Sequence, residues 1–385
     1  RSQSNSTTST RDECDLKSSS MNTTGRTLIK RKCLVSRIWT RLGRGKMFAS
    51  NSRGGDFQRR DRIVVAIGGN ALQERGKKLN ICRQKENVAA AVSLLKPLLE
   101  MHKVTIVHGN GPQVGYLALM DKQSPLDILD AESQGMIGYL LEQEIINYLS
   151  DEKKRGTATV LSQIVVDPDD PAFDHPTKFV GPQYRTEEET QNAVNSGHVL
   201  KRDGPFLRRV VPSPKPKQLI EHQLIALKHL VENDCIVVCA GGGGVPVLRD
   251  PTCGHLTGVE AVIDKDLSAA MIATEIEAKG VLILTDVRGV AIHYGDVNKE
   301  KWIKSVSPDV LATLMDHFMP GSMRPKVEAA ITFTAEQPFN FCPHFDEPSW
   351  CKIGALKDCG RIISGKSGTT VTTLYGTNHI VYYNH

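Results

Sequence analysis

Short runs of β-branched apolar residues alternate with longer amphipathic stretches from Asp61 onward, a pattern typical of βαβ units. The predicted strands are Arg62 to Ile67, Val104 to Val107, Thr159 to Val166, Arg209 to Val211, Cys235 to Ala240 and Val281 to Thr285. The predicted helices are Gln84 to Met101, Glu132 to Leu149, Pro216 to Val231 and Asp264 to Ala278. The pattern therefore predicts an α/β fold, a three-layer αβα sandwich with a mainly parallel open sheet.

One polar, Pro-rich stretch interrupts this alternation, from about Asp167 to Arg208. It is too long for an ordinary loop between a strand and a helix. We therefore expect a small inserted subdomain at 167–208 that acts as a lid on a single domain spanning 61–385.

The first 60 residues differ in composition from the rest, being rich in Ser, Thr and Arg. They predict a disordered or targeting tail. The basic segment Arg26 to Lys46 suits an organelle transit peptide, whereas Asp12, Glu13 and Asp15 upstream do not. The expected location is the cytoplasm, with an organelle matrix as the alternative.

The net charge of +5 comes from that tail, which holds 14 Lys/Arg against 4 Asp/Glu. Residues 61–385 hold 34 against 39 and are mildly acidic. No basic face interleaved with aromatics is evident, and no apolar run approaches the roughly 20 residues that cross a bilayer. We expect neither nucleic acid nor a membrane as a partner.

The nine cysteines contain no C-x-x-C pair, and Cys235 and Cys239 lie in an apolar run where thiols pack as small hydrophobes. A zinc site is conceivable at Cys342, His344, Cys351 and Cys359, but the close ligand pairs of structural zinc modules are absent. We expect a reducing compartment and no protein-bound metal site.

Two predicted strands run directly into Gly-Asn turns: Gly68-Gly69-Asn70 after the first strand and Gly109-Asn110 after the second. Ligands bind at the carboxyl ends of parallel strands, and glycine lets backbone N–H groups approach an anion. Gly-Asn is a common turn dipeptide, so a single such turn is weak evidence. Two of them at equivalent positions favour a pair of turns that bind phosphate.

A third glycine run, Gly241 to Gly244, follows the strand CIVVCA and suits nucleotide phosphates, although a flexible joint would look the same. Neither this run nor the first turn matches the dinucleotide pattern G-x-G-x-x-G, which disfavours a Rossmann oxidoreductase. The pattern G-x-x-x-x-G-K-[ST] occurs at Gly360 to Ser367, but it follows none of the predicted strands, so a P-loop enzyme is also disfavoured.

Lysines stand at the starts of two predicted helices, where the helix end is already positive. Asp264 and Asp266 flank Lys265, and Pro325 precedes Lys326. Phosphoryl transfer needs such cations against the phosphoryl oxygens, although a capping Asp followed by a solvated Lys has the same sequence.

Two further segments add candidates to this site. Lys178, in the insertion, could swing over the site or be an ordinary loop lysine. The strand that ends in Thr285 continues with Asp286 and Val287, which suit adenine and ribose, although Asp at a strand end is common.

In order, the motifs are VVAIGGNAL, HGNGPQVG, ESQGMIGY, VDPDDPAF, HPTKFVGP, RRVVPSPKP, GGGGVPV, GVEAVIDKDL, LTDVRGV, GSMRPKVEAA and GKSGTTV. As a set, over roughly Arg62 to Val371, they resemble the carbamate kinases of the amino-acid-kinase superfamily. The resemblance implies a homodimer that uses ATP/ADP with Mg²⁺ and transfers the γ-phosphoryl group between ATP and carbamate. It further implies ATP synthesis from carbamoyl phosphate after arginine or agmatine breakdown.

The resemblance also implies residue roles. Gly68, Gly69, Asn70, Gly109 and Asn110 would hold carbamate and the γ-phosphoryl group. Lys265 and Lys326 would neutralise that group, Asp266 would orient the lysines, and Lys178 would close over them. Gly241, Gly242, Gly243, Thr285, Asp286 and Val287 would surround the nucleotide.

Two features depart from the family pattern. Arg324 stands where a small residue is usual, beside the expected catalytic loop, and Gln337 to Lys352 replaces a regular strand and helix with aromatics and prolines. Two alternatives therefore stay open: another amino-acid kinase acting on a carboxylate such as acetylglutamate, or a silent sensor of carbamoyl phosphate or nucleotide.

Overall fold

A computed structural model describes residues 60–72, 80–110, 113–121, 123–149, 155–336 and 347–384. The strands are β1 Arg62–Ile67, β2 Lys103–His108, β3 Thr157–Val160, β4 Gln163–Val166, β5 Lys178–Tyr184, β6 Leu200–Asp203, β7 Phe206–Val211, β8 Pro216–Leu219, β9 Ile236–Cys239, β10 Val245–Arg249, β11 Leu256–Gly258, β12 Gly280–Thr285, β13 Ala291–Ile292, β14 Lys301–Val306, β15 Trp350–Ala355, β16 Thr369–Thr372 and β17 Ile380–Tyr382. The tail predicted for 1–60 lies outside these ranges, apart from Arg60.

The helices are α1 Gly69–Leu72, α2 Ile81–Met101, α3 Gln113–Met120, α4 Leu126–Tyr148, α5 Glu187–Asn195, α6 Glu221–Glu232, α7 Lys265–Glu275, α8 Pro308–Thr313, α9 Met323–Glu336 and α10 Cys359–Ile363. Short 3-10 turns occupy Gly241–Gly243, Met315–His317 and Leu356–Asp358. None of the helices in the described ranges is long and apolar enough to span a bilayer.

The main sheet of the described residues has the strand order β13-β14-β16-β15-β12-β1-β2-β9-β3, with β17 paired to β14. Strand β1 lies between β12 and β2 and runs parallel to both, with Ile67 opposite Leu284 and His108. The pairs formed by β9 with β2 and β3 are also parallel. The carboxyl ends of β1, β2, β9 and β12 consequently meet at one edge of the sheet.

Alternate side chains of β1 enter two different cores. Val64 and Ala66 pack in one cluster with residues of α7 and α9, whereas Ile63 and Val65 pack in another with α2 and α4. All four side chains are at most 1% exposed. Because a strand buried on both faces needs a helical layer on each side, this arrangement confirms the predicted three-layer αβα sandwich.

Two smaller sheets complete the described structure. One has the order β11-β10-β4-β8, and the other, β5-β7-β6, lies in the inserted region together with α5. A capping box between Thr186 and Glu189 fixes the start of α5. Strand β7 continues to Val211, three residues past the expected end of the insertion.

The single strand predicted from Thr159 to Val166 is wrong, because the chain forms β3 and β4 in two different sheets. The break lies at Ser162, whose backbone N–H donates to Gln134 Oε1 at 3.0 Å. The Ser162 hydroxyl accepts from Ala240 N at 2.9 Å. Side-chain hydrogen bonds thus replace the ladder at this residue and redirect the chain.

The helix predicted from Pro216 to Val231 is also wrong at its start. Residues 216–219 form β8, antiparallel to β4 with Leu219 opposite Ile164, and the helix begins at Glu221. The prolines at 212, 214 and 216 lack the backbone N–H that a helix interior needs, which favours the extended form.

The segment Gln337 to Lys352 is described only from residue 347. Its end begins β15, which is parallel to β12, with Cys351 opposite Val281, and antiparallel to β16. Cys351 and Ile353 are fully buried. The C-terminal region therefore contributes a strand inside the main sheet despite its unusual composition.

Candidate active site

The two Gly-Asn turns lie side by side at the carboxyl ends of β1 and β2. Gly109 N donates to Ile67 O at 3.0 Å. A Cβ atom added to Gly109 would lie 3.0 Å from Gly69 N and 3.3 Å from Lys265 Cδ. The turns and the lysine therefore pack closely enough that a side chain at this position would require its neighbours to shift.

Lys265 and Lys326 share one carboxylate. Lys265 Nζ lies 2.6 Å from Asp266 Oδ1, and Lys326 Nζ lies 2.9 Å from Asp266 Oδ2. Asp266 is 1% exposed. Because Lys265 begins α7 and Lys326 lies in the first turn of α9, the carboxylate joins two helix starts.

The same surroundings shift the pKa values of the two lysines in opposite directions. Burial lowers the pKa of Lys265, with the charge of Lys326 adding to it, and this outweighs the attraction of Asp266 and Asp264. Burial also lowers the pKa of Lys326, but Asp266, Asp264 and Asp286 together raise it above its ordinary value. Lys326 is consequently the more firmly protonated amine.

Lys178 reaches this cluster from the inserted region. Its Nζ lies 2.8 Å from Asp264 Oδ2, and Asp264 Oδ1 accepts from Asp266 N at 3.0 Å as the N-cap of α7. Burial alone would raise the pKa of Asp264. The charges of Lys178 and Lys265 outweigh this effect and hold the pKa well below its usual range. Three lysines thus face Asp264 and Asp266, with the charge of Asp286 also acting on Lys326, and their amines are the groups that can contact an anion.

The glycine run Gly241–Gly243 lies against the second turn. A Cβ atom on Gly242, whose φ is +69°, would fall 2.0 Å from Asn110 Nδ2. Ser268 of α7 donates to Gly243 O at 2.7 Å, which ties the run to the helix that begins at Lys265. The run follows β9 and therefore lies on the β2 side of the site.

The other predicted nucleotide-binding residues lie at the end of β12: Thr285 is its last residue, and Asp286 and Val287 follow it. Because β1 and β2 separate β12 from β9, these residues lie on the side of the site opposite the glycine run. Gly68 N donates to Leu284 O at 3.2 Å, which places the first Gly-Asn turn beside the end of β12. Thr285 is partly buried and Asp286 is exposed. The residues predicted to bind nucleotide therefore form two groups that flank the lysines.

Arg324 lies in the first turn of α9, near Lys326 in sequence. Its Nη2 atom is 3.7 Å from Asp316 Oδ1, and both side chains are exposed. An exposed pair of this kind contributes little to stability.

Sequence reasoning missed three buried polar residues beneath the turns: His108, Asp130 and Gln134. Burial lowers the pKa of His108 to about 4, and its ring lies where a Cβ on Gly241 would be. Asp130 precedes the predicted start of its helix, Glu132, and so escaped notice. The usable signal was a charged residue four positions before Gln134, on a face that is otherwise apolar.

Comparison with known proteins identifies the class to which this fold and site belong. The sequence model of the amino acid kinase family matches residues 61–338. This is well over half of the chain, and the paired lysines and glycine turns lie within it.

Individual relatives narrow the class. Carbamate kinase of Escherichia coli is 42% identical over 316 residues, covering 80% of this chain and 99% of that protein. Carbamate kinase of Pyrococcus horikoshii is 41% identical over 329 residues, covering 81% of this chain and 99% of that protein. A solved structure of carbamate kinase from Giardia lamblia bound to AMP-PNP matches with a TM-score of 0.72 and 34% sequence identity. The match covers 81% of this chain and 98% of that protein. The chain belongs to the carbamate kinases of the amino acid kinase family and is an enzyme of the kinase class.

The contact between Gly242 and Asn110 can be tested by Gly242→Ala, with Gly254→Ala as the matched control. Gly254 has a similar φ of +73° but no atom within 4 Å of an added Cβ. We expect Gly254→Ala to cost about 1 kcal/mol of backbone strain. Gly242→Ala should cost about 2–4 kcal/mol, because overpacking adds to the strain. Urea unfolding measures both, and equal losses would contradict the close approach.

Proposed function

We propose that this enzyme transfers the γ-phosphoryl group reversibly between ATP and carbamate, giving ADP and carbamoyl phosphate. The observation that carries the proposal is the pair of lysines on Asp266, with Lys265 packed against the adjoining Gly69 and Gly109. The relatives from Escherichia coli and Pyrococcus horikoshii, both carbamate kinases, support the same acceptor.

Carbamate needs little activation, because it is already an anionic oxygen nucleophile. One of its oxygens attacks the γ-phosphorus as the bond to the β,γ-bridging oxygen breaks, and the electron pair of that bond leaves with ADP. The barrier comes mainly from repulsion between two anions, so positioning and positive charge are what the protein supplies. In this proposal Lys265 and Lys326 neutralise the phosphoryl oxygens, and Asp266 holds both amines in place.

The remaining site residues position the reactants. The N–H groups of Gly68 and Gly109 donate within the sheet, so the other backbone N–H groups of the two turns bind carbamate and the γ-phosphoryl group, as such turns bind anions elsewhere. The acceptor-side residues are Gly68, Gly69, Asn70, Gly109 and Asn110, and the nucleotide-side residues are Gly241, Gly242, Gly243, Thr285, Asp286 and Val287. The AMP-PNP held by the Giardia lamblia relative supports the use of ATP/ADP here.

Lys178 closes the site from the inserted region, and its ion pair with Asp264 supports this role. Carbamoyl phosphate hydrolyses readily in water, so a lid also protects the product. We further propose that the cellular direction is ATP synthesis after arginine or agmatine breakdown, which rests on the family resemblance.

Mg²⁺ enters this proposal with the nucleotide. Among the described residues, no group of three or more His, Cys, Asp or Glu is placed to hold a metal ion. Such a site fits Mg²⁺, which commonly keeps its waters and binds mostly through substrate phosphates. Bound with the nucleotide, the ion would supply positive charge to the phosphate oxygens, and we assign it no protein ligand.

The partner that we propose is a second copy of the chain, which docks on α4 and β3. Ile128, Tyr139 and Ile146 of α4 are 46%, 56% and 54% exposed, and their spacing of 11 and 7 residues places them on one helix face. In the described residues β3 ends the main sheet, with β9 as its ladder partner. Three exposed apolar side chains on one helix face beside an open sheet edge support a two-fold homodimer.

The activity is tested by ATP formation from carbamoyl phosphate and MgADP. Wild-type protein should form ATP, and Lys265→Ala should lower kcat at least about 100-fold through loss of a main electrostatic contact. Lys103→Ala is the control, because Lys103 begins β2 at the opposite edge of the sheet and should leave kcat unchanged.

Two results would count against this account. Wild-type protein that forms no ATP would favour a silent sensor, or a different carboxylate acceptor if acetylglutamate were phosphorylated instead. Normal turnover by Lys265→Ala would show that the role given to this lysine is wrong.

The dimer is tested by light scattering after size-exclusion chromatography. Tyr139→Glu combined with Ile146→Glu should convert a dimer to a monomer, because two charges would be buried in the interface. Ile225→Glu is the control, since Ile225 of α6 is equally exposed at 56% but lies outside this face. A wild-type monomer, or a double variant that stays dimeric, would refute this surface.

A further inference from the structure

Asp130 is a buried carboxyl group that the reaction described above does not use. It lies in α4 and is 3% exposed. Its Oδ1 atom accepts a hydrogen bond from Asn110 Nδ2 at 3.1 Å, and no cation pairs with it among the described residues. A buried carboxyl without an ion pair is unfavourable, so this position favours a role beyond packing.

Asn110 connects Asp130 to the active site. It follows Gly109, which packs against Gly69 and Lys265, and its amide lies against Gly242. The side chain is 7% exposed, and its Oδ1 atom is buried without a hydrogen-bond partner in the described structure. A buried acceptor without a donor is costly, so a ligand that supplies an N–H group would gain from it.

Asp130 determines which end of the amide is left unpaired. A carboxyl group keeps an acceptor oxygen whether it is ionised or protonated. Burial raises the pKa of Asp130, with Asp127 and Glu260 adding to the rise, while the Asn110 hydrogen bond opposes it. In the structure this oxygen holds the NH₂ end of Asn110, and the Oδ1 end remains for another donor.

We propose that Asp130 is a positioning residue that fixes the Asn110 amide so that Oδ1 accepts a hydrogen bond from the amino group of the carbamoyl substrate. This inference rests on the proposed function and adds a basis for specificity. Acetyl phosphate has nearly the same shape as carbamoyl phosphate, but its methyl group replaces the amino group and cannot donate. Loss of the Asp130 contact should therefore reduce the preference for carbamoyl phosphate, because an acceptor left unpaired is what rejects the methyl analogue.

The test compares ATP formation from MgADP with carbamoyl phosphate and with acetyl phosphate, expressed as the ratio of the two kcat/KM values. Asp130→Leu removes the acceptor and keeps the branching of the side chain, whereas Asp130→Asn keeps an acceptor oxygen. Ser133→Ala is the control, since Ser133 is buried in the same helix and its hydroxyl donates to the Asp130 backbone carbonyl at 2.9 Å. Asn110→Ala and the double variant with Asp130→Leu complete a mutant cycle.

We expect Asp130→Leu to lower the ratio about tenfold, the scale of one hydrogen bond, while KM for ADP changes less than about twofold. Asp130→Asn should restore most of the ratio, and Ser133→Ala should leave it at the wild-type value. The double variant should lose no more than Asn110→Ala alone, because Asp130 acts through Asn110.

Three results would overturn the proposal. If Asp130→Leu slows both substrates equally, or if its ratio equals that of wild type, Asp130 does not govern selectivity. If Asp130→Asn behaves like Asp130→Leu, the acceptor oxygen is not what matters. Wild-type protein without carbamoyl phosphate activity would instead remove the proposed function itself, so the two failures are distinguishable.

Discussion

The site depends on one buried carboxylate that two lysines share. Asp266 is 1% exposed and accepts from Lys265 and Lys326, which arrive from the starts of α7 and α9. A carboxylate at this depth needs an ionic partner, because without one it would be an uncompensated buried charge. The packing of the two helices and the placement of the two amines are therefore one constraint. The outcome is a pair of cations held without freedom to reorganise, as stabilisation of a transferring phosphoryl group requires.

The parallel sheet sets where this cluster can act. Strands β12, β1, β2 and β9 end at one edge, and a Cβ on Gly109 there would lie 3.0 Å from Gly69 N and 3.3 Å from Lys265 Cδ. The glycine run and residues 285–287 flank the cluster on opposite sides. Asn110 and Asp130 form a buried hydrogen-bonded pair, which links the Gly-Asn turn after β2 to α4. In this account the positive charge of the site comes from lysines at the starts of α7 and α9. The preference for a carbamoyl group comes from a carboxyl group within α4.

Local patterns in the sequence predicted most of the sheet and the residues around Asp266, because β-branched runs, glycine turns and helix starts are short-range features. The prediction failed where tertiary contacts override local preference. Ser162 breaks a continuous apolar run through hydrogen bonds to Gln134 and Ala240, which are distant in sequence. The lysine pair was found, but its shared carboxylate geometry depends on α7 and α9 packing together, 60 residues apart. Asp130 was missed because it precedes Glu132, the predicted start of its helix, whereas the helix begins at Leu126.

The most direct test of the central claim is the turnover number of Asp266→Asn in ATP formation from carbamoyl phosphate and MgADP, with folding verified by near-ultraviolet circular dichroism. Asparagine keeps the shape but removes the charge that holds both amines. The account predicts a folded protein whose kcat is lower by at least about 100-fold, a loss comparable to that of a main electrostatic contact. A folded variant with turnover within about threefold of wild type would contradict it, since that is under 1 kcal/mol of barrier.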